Sequence, residues 1–523
     1  MSLRATGTLR WPVGATTRER IDSTVVALLV VVSIMLALWG VSRFVATRRN
    51  AAGISTAMTS RALQVGGLAT RSAARKAFLR MRQVVATREH KDALEARYHL
   101  RTSSEVAAMM GQMKGVFMKL GQIASFARES LPPEARQALE TLQKDAPPMA
   151  FELVREVVER ELGPLAERFA WFDERPLAAA SIGQVHRARL RAADGGTHER
   201  EVVVKVQYPG VDEAIRADLR FTQGLTAMGS AFFRNTDTSA MVAELKARLE
   251  DELDYLKEAE SQQRFAAIWE GHPLIRVPRV HRSHTTARVL TQDYAAGLSF
   301  NDFLAVASAD EKRLAVRVLN DFVFDSMHFF ACFNGDPHPG NYLFHEDGGI
   351  TFLDFGCVKR FEGPFLAELR ALNRAILERD EAAFEACLRA TGIVLPGRPY
   401  DREASWAFFD YHARPFAKDE VFAFDEAYLR EAGDTMKLDN LRRFNLPPDL
   451  LLFNRITFGL NAIFERLGAA ENFHRLYRRY LYPDEDVAPA CATVGVDLPA
   501  RFLPARAWPV TTATSAGAET LAR

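Results

Sequence analysis

Apolar and polar positions alternate along this chain with three distinct rhythms. Thr24 to Ser42 (TVVALLVVVSIMLALWGVS) has no rhythm at all: it is apolar on every side and carries no charge. At about 1.5 Å per helical residue, it just spans a bilayer core of roughly 30 Å. A buried core helix is disfavoured by its place near a terminus, between Arg18/Arg20 and Arg43/Arg48/Arg49. A cleaved signal is disfavoured because the run exceeds the usual core of about 7–15 residues and no A-x-A site follows. The reading is an uncleaved single-pass transmembrane helix. Helical rhythm appears next, at Val106, Met109, Met110, Met113, Phe117, Leu120 and Ala124, and again over Phe151–Leu162, closed by Gly163-Pro164. The period then shortens. Ser181–Leu190 and Glu201–Gln207 alternate like strands around a turn containing Gly195-Gly196, which predicts a hairpin. A long helical stretch is expected over Asp212–Trp269, then a strand over Ala287–Asp293. From Asp310 the pattern is mostly helical, interrupted by short strands at Tyr342–Phe344 and Ile350–Leu353.

The remaining bulk properties narrow the class. The chain has 523 residues, 48% hydrophobic and 25% charged, with a net charge of +1. This is ordinary globular composition; it excludes global disorder, and the charge balance points to no nucleic-acid partner. Four scattered cysteines exclude a disulfide framework or zinc site and suit a reducing compartment. Between Arg43 and Arg101, 13 Lys/Arg face three acids. By the positive-inside rule this keeps the body of the protein cytoplasmic, on a membrane such as the bacterial inner membrane. The basic run Arg71–Arg82 suits either anionic lipid or a solvated helix face.

Candidate chemistry lies in Gly335-Asp336-Pro337-His338-Pro339-Gly340-Asn341 and Leu353-Asp354-Phe355-Gly356. Asp336 and Asn341 stand five apart, the D-x-x-x-x-N spacing of a kinase catalytic loop, and the D-F-G follows 13 residues after Asn341. Upstream, Val202-Val203-Val204-Lys205 ends a strand as V-A-I-K does. One such motif is weak, and turn capping is its ordinary explanation; the ordered set is specific. Phosphoryl transfer needs cations on the phosphates and hard oxygen ligands for Mg²⁺. Lys205 would meet the α/β-phosphates of ATP, Asn341 and Asp354 would ligate Mg²⁺, and Asp336 would orient or deprotonate the acceptor. His338, between two prolines, is expected to shape the loop.

On these residues and three further motifs, the chain resembles the UbiB/aarF-like (ABC1-kinase-like, ADCK) family of atypical kinases over roughly Val106–Leu467. Lys119-Leu120-Gly121-Gln122 resembles the family's K-x-G-Q helix, which implies a face folded over the cleft where a peptide would dock; a surface lysine is the plain alternative. Ala178-Ala179-Ala180-Ser181-Ile182-Gly183-Gln184-Val185 resembles its Ala-rich phosphate loop. Glu252-Leu253-Asp254-Tyr255 with Glu258 resembles its E-x-D motif, followed by the helix glutamate that pairs with the strand lysine. Asp254 and Glu258 are expected four apart on one helix, either facing cations or forming a solvated acidic face. Asp293 stands where the family commonly has a hinge acid. The implied fold is α+β and bilobal, protein-kinase-like, with an N-terminal helical extension, a mostly helical C-lobe and one N-terminal transmembrane helix. The expected division is 1–23 tail, 24–42 membrane helix, 43–104 basic linker, 105–165 extension, 166–297 N-lobe, 298–505 C-lobe and 506–523 disordered tail.

The resemblance implies an ATP- and Mg²⁺-dependent kinase or ATPase supporting ubiquinone or other isoprenoid-quinone lipid biosynthesis. Its partners would be a membrane lipid or quinone intermediate and quinone-biosynthesis proteins. There is no H-R-D arginine and no A-P-E, and helical pattern returns within about ten residues of Gly356, so peptide phosphorylation in trans is disfavoured. The alternatives are an aminoglycoside-type small-molecule phosphotransferase and a nucleotide-binding scaffold without turnover.

Overall fold

A computed structural model of the chain describes residues 149–502, apart from 181, 192–198, 213–214, 217–236, 362, 399, 436–444, 446, 483–484, 486, 493–494 and 500–501. The segment expected to be transmembrane and the stretch expected to form a helix with Lys119 and Gln122 lie outside the described residues. Among the described residues, no helix is long and apolar enough to cross a membrane.

The N-terminal half is built on a sheet with α1 (Phe151–Leu162) against one face. Its strands are β1 (Phe169–Ala179), β2 (Gly183–Leu190), β3 (Arg200–Gln207) and β5 (Val289–Asp293), in the antiparallel order β1-β2-β3-β5; the two-residue β4 (Ile275–Arg276) belongs to another sheet. Strand periodicity decides what each face carries. Val202, Val204 and Val206 of β3 pack with Val154, Val157, Val158 and Leu162 of α1. The alternate position, Lys205, points to the other face.

That other face is covered by two helices, α2 (Thr238–Glu252) and α3 (Tyr255–Ile268). The long helical stretch expected over Asp212–Trp269 is thus broken, where it is described, between α2 and α3. Asp254 ends it, because its carboxylate accepts a hydrogen bond from Leu256 N at 3.0 Å and caps α3. Asp254 thus stands before the helix that carries Glu258, so the expected same-helix pairing of the two acids is also corrected. On α3, Tyr255, Glu258, Ala259, Gln262 and Phe265 share one buried face. Glu258 is aimed inward for the same reason that Phe265 is.

The C-terminal half is helical around one large aromatic core. Its helices are α4 (Phe300–Val306), α5 (Ala309–Asn320), α6 (Ser326–Phe330), α7 (Phe365–Leu377), α8 (Glu381–Ala390), α9 (Arg402–Ala417), α10 (Glu426–Thr435), α11 (Pro448–Leu467) and α12 (Phe473–Leu481). A π-helical turn, Asp321–Asp325, joins α5 to α6, and its acids are buried. Asp321 accepts from the backbone N–H of Ala490 (3.1 Å) and Cys491 (2.9 Å), while Asp325 accepts from Arg479 (3.0 Å) and Tyr480 (2.8 Å). Short strands frame the segment from Cys332 to Arg360. β6 (Cys332–Asn334) pairs with β9 (Val358–Arg360), and β7 (Tyr342–Phe344) pairs with β8 (Ile350–Phe352), which β4 joins in parallel. Only β7 and β8 were expected here. A last pair, β10 (Phe422–Ala423) and β11 (Ala470–Glu471), ties α9 to the C-terminal helices. All four cysteines are free thiols.

Candidate active site

Lys205 is the centre of the site. Its ammonium donates to Glu258 Oε1 at 2.8 Å and Oε2 at 2.9 Å, and to Asp354 Oδ2 at 3.3 Å. Its Nζ also sits 5.0 Å from the centre of the Tyr255 ring. Burial alone would pull the ammonium down, but the carboxylates of Asp354 and Glu258 outweigh it and hold it well above its usual range. Glu258 is pushed up to about 7 by burial, against the pull of Lys205. Three residues brought from β3, α3 and the D-F-G segment thus meet around one cation, across 53 and 149 residues of sequence.

The catalytic-loop and D-F-G segments are stitched together by backbone. Gly335 N donates to Cys357 O (2.7 Å), Leu353 N to Asn341 O (3.0 Å), and the Asn334 side chain to Asp354 O (2.5 Å). A side chain at Gly335 would put its Cβ 3.1 Å from Cys357 O, so the close approach favours glycine. Asp354 Oδ1 accepts from Gly356 N at 2.9 Å, and the intervening Phe355 is buried against Phe265 of α3, with ring centres 5.2 Å apart. His338 Nδ1 accepts from Gly340 N at 3.0 Å, the loop-shaping part expected of it. Asn341 donates to Asp336 Oδ2 at 3.2 Å, so the D-x-x-x-x-N pair closes on itself.

The Ala-rich segment forms the β1–β2 turn over the same edge. Ala178 and Ala179 finish β1, Ala180 N donates to Gly183 O at 2.9 Å, and Ile182 anchors the turn in a core with Tyr255 and Leu290. Ser181 lies outside the described residues. A Cβ on Gly183 would lie 2.1 Å from Val206 O, so strand pairing itself demands glycine there. Val185 pairs with Lys205 across β2 and β3. Gln184 is turned away, bonded to the Met149 backbone and to His186. Asp293, at the end of β5, is engaged by His281 at 2.7 Å.

Two residues of the site escaped the sequence reading. Tyr255 floors the lysine. Arg455, on α11, donates to Asp336 Oδ1 at 2.6 Å and is 4% exposed. A signal for Arg455 existed: it is the lone charge in Leu450–Phe464 (LLLFNRITFGLNAIF), and a buried charge needs a partner. Beyond the D-F-G, Lys359 bonds Glu244 of α2 (3.1 Å) and Asp449 of α11 (2.7 Å), while Arg248 of α2 donates to Val358 O (3.1 Å).

A strand lysine, a helix glutamate, a loop D-x-x-x-x-N and a D-F-G converging between a sheet and a helical lobe define a protein-kinase-like cleft. Comparison with known proteins agrees. Residues 141–388 match the ABC1 atypical kinase-like domain, a shorter span than the resemblance expected from sequence. That stretch of the chain is of the UbiB/aarF-like type of atypical kinase domain. It is 32% identical over 290 residues to an aarF domain-containing protein kinase of Arabidopsis thaliana, named as chloroplastic; the match covers 55% of this chain and 38% of that protein. It is 32% identical over 278 residues to the mitochondrial atypical kinase COQ8 of Saccharomyces cerevisiae, covering 52% and 54%. The match therefore spans about half or less of these curated relatives. The Rv3197–erythromycin complex from Mycobacterium tuberculosis is 29% identical, with a TM-score of 0.54, covering 77% of this chain and 99% of that one.

Proposed function

We propose that the chain is an ATP- and Mg²⁺-dependent phosphotransferase or ATPase that works at a membrane on an isoprenoid-quinone or other lipid client. The convergence of Glu258 and Asp354 on Lys205 carries this reading, because it is the arrangement that positions a cation for phosphate oxygens. The donor set fits Mg²⁺. Asp354 offers a carboxylate, and Asn341, whose amide nitrogen is spent on Asp336, offers its amide oxygen. When bound, Mg²⁺ would neutralise phosphate charge. Glu258 holds Lys205 in place, Lys205 receives the phosphates, and Asp336 receives the acceptor's proton or orients the acceptor. The Ala-rich turn, from Ala178 to Gly183 and with Val185 but not the side chain of Gln184, would cover the nucleotide, with Asp293 at the hinge. Lys119 and Gln122, with Glu252 and Asp254, would regulate access. The lipid client rests on the family resemblance and on the apolar Thr24–Ser42 segment.

One observation favours a second reading, transfer to a small-molecule acceptor: the similar Mycobacterium tuberculosis protein was solved with erythromycin. The tests separate the two. Mg·ATP should raise the melting temperature of the wild type and not of Asp354→Asn; no shift for the wild type would overturn every ATP reading. Hydrolysis stimulated by anionic-lipid vesicles, together with restored quinone lipids in a deletion strain complemented with wild type but not Asp354→Asn, supports the lipid client. Phosphorylation of a macrolide or aminoglycoside, without lipid stimulation, would replace it.

A further inference from the structure

Helix α11 addresses the catalytic machinery at three points. Asp449, in its first turn, bonds Lys359 beyond the D-F-G at 2.7 Å. Arg455 holds Asp336 Oδ1 at 2.6 Å and reaches Cys357 Sγ at 3.8 Å. Gly459 lies so close to the loop that a Cβ there would stand 2.2 Å from Pro337 Cγ. Arg455 and Gly459 are four residues apart, hence on one face of the helix. That face carries a buried cation and a gap in side-chain volume, and the loop fills both.

The consequence for Asp336 is geometric. One carboxylate oxygen is taken by Arg455 and the other by Asn341 at 3.2 Å, so the plane of the group is fixed. Burial works against the Arg455 cation, but Cys357, Asp336 and Glu252 around it more than offset that cost. A carboxylate aligned before the reaction needs no reorientation in the transition state, and misplacement by about 1 Å can cost roughly 100-fold in rate.

We propose that α11 is the platform of the catalytic loop and that Arg455 is a positioning residue, which orients the Asp336 carboxylate toward the acceptor. The proposal rests on the ATP-dependent reading given above.

The experiment compares wild type, Arg455→Met and Arg455→Lys in Mg·ATP hydrolysis, with Mg·ATP affinity read separately by thermal shift and titration. Arg455→Met should lower kcat roughly 100-fold and leave nucleotide affinity unchanged, because Arg455 does not touch Lys205. Arg455→Lys should recover part of kcat, since it restores the charge without the planar fork. If Arg455→Met fails to fold, Gly459→Ala, which pushes Pro337, should give the same split between kcat and affinity. Wild-type turnover with an unchanged kcat in Arg455→Met overturns the positioning role alone. So does a parallel loss of kcat and affinity, or a lysine variant no better than methionine. Absence of turnover in the wild type overturns this role together with the function on which it rests.

Discussion

Replacing Glu258 by Gln should separate the function of this site from the stability of the fold. The carboxylate is 4% exposed, and its partner Lys205 is 15% exposed. With an effective dielectric of about 20, the gross attraction is about 6 kcal/mol for Lys205–Glu258 at 2.8 Å and about 5 kcal/mol for Lys205–Asp354 at 3.3 Å. The two partners are nearly equal, so the substitution leaves the ammonium with Asp354 and with one amide oxygen. It also removes a carboxylate whose burial is costly enough to push it up to about 7. These terms oppose one another, and unfolding in denaturant should change by no more than about 1 kcal/mol. Catalysis has no such compensation. Lys205 would move onto Asp354, occupying the metal ligand and leaving its phosphate position, and kcat/KM for Mg·ATP should fall roughly 100-fold, or about 2.7 kcal/mol. Steady-state hydrolysis and a urea titration on the same preparations test both halves. Unchanged turnover, or loss of turnover only in proportion to unfolded protein, would refute the assignment of Glu258 to the site.

Three further outcomes follow from the geometry. Because burial raises Glu258 to about 7, turnover should fall as pH drops through that value, and Glu258→Gln should lack this limb; its stability contribution runs oppositely, present below about 4.3 and lost as pH climbs through about 7. Gly183→Ala would force a Cβ to 2.1 Å from Val206 O, and the backbone there can yield only by breaking pairing, so stability should fall by about 1–3 kcal/mol in thermal or urea unfolding. Arg479→Met would leave Asp325 and Asp321 buried without their cation and should cost about 3 kcal/mol at neutral pH, less in acid, where Asp325, already raised to about 7 by burial, takes up a proton. A flat pH response of that loss would contradict the buried-acid account.

The grouping of the candidate residues was legible where their spacing is local. Asp336, Asn341, Asp354 and Lys205 sit in short motifs whose partners lie within a few residues or in a recognisable order, and all four line the cleft. Glu258 became legible through the family motif, since nothing in one sequence says which acid a lysine 53 residues away will meet. β1 was hidden because FAWFDERPLAA contains Pro176 and register shifts that spoil simple alternation. The break between α2 and α3 was hidden because Leu253-Asp254 contains neither Gly nor Pro; the cap works through a carboxylate. Strands of two or three residues, such as β4, β6 and β9, are too short to show a period. Arg455 stood out only as a charge in an apolar run, its partner 119 residues distant.

The strand that follows the D-F-G is bound on several sides. β9 is paired to β6 along one edge, and its Lys359 and Val358 are tied by side chains from α2 and α11. In kinases that are switched by a mobile segment at this point, an added phosphate rewires a loose loop. Here the described part of that stretch is riveted from three directions, by β6, α2 and α11. On the proposed reading, nucleotide and client would meet this floor already assembled.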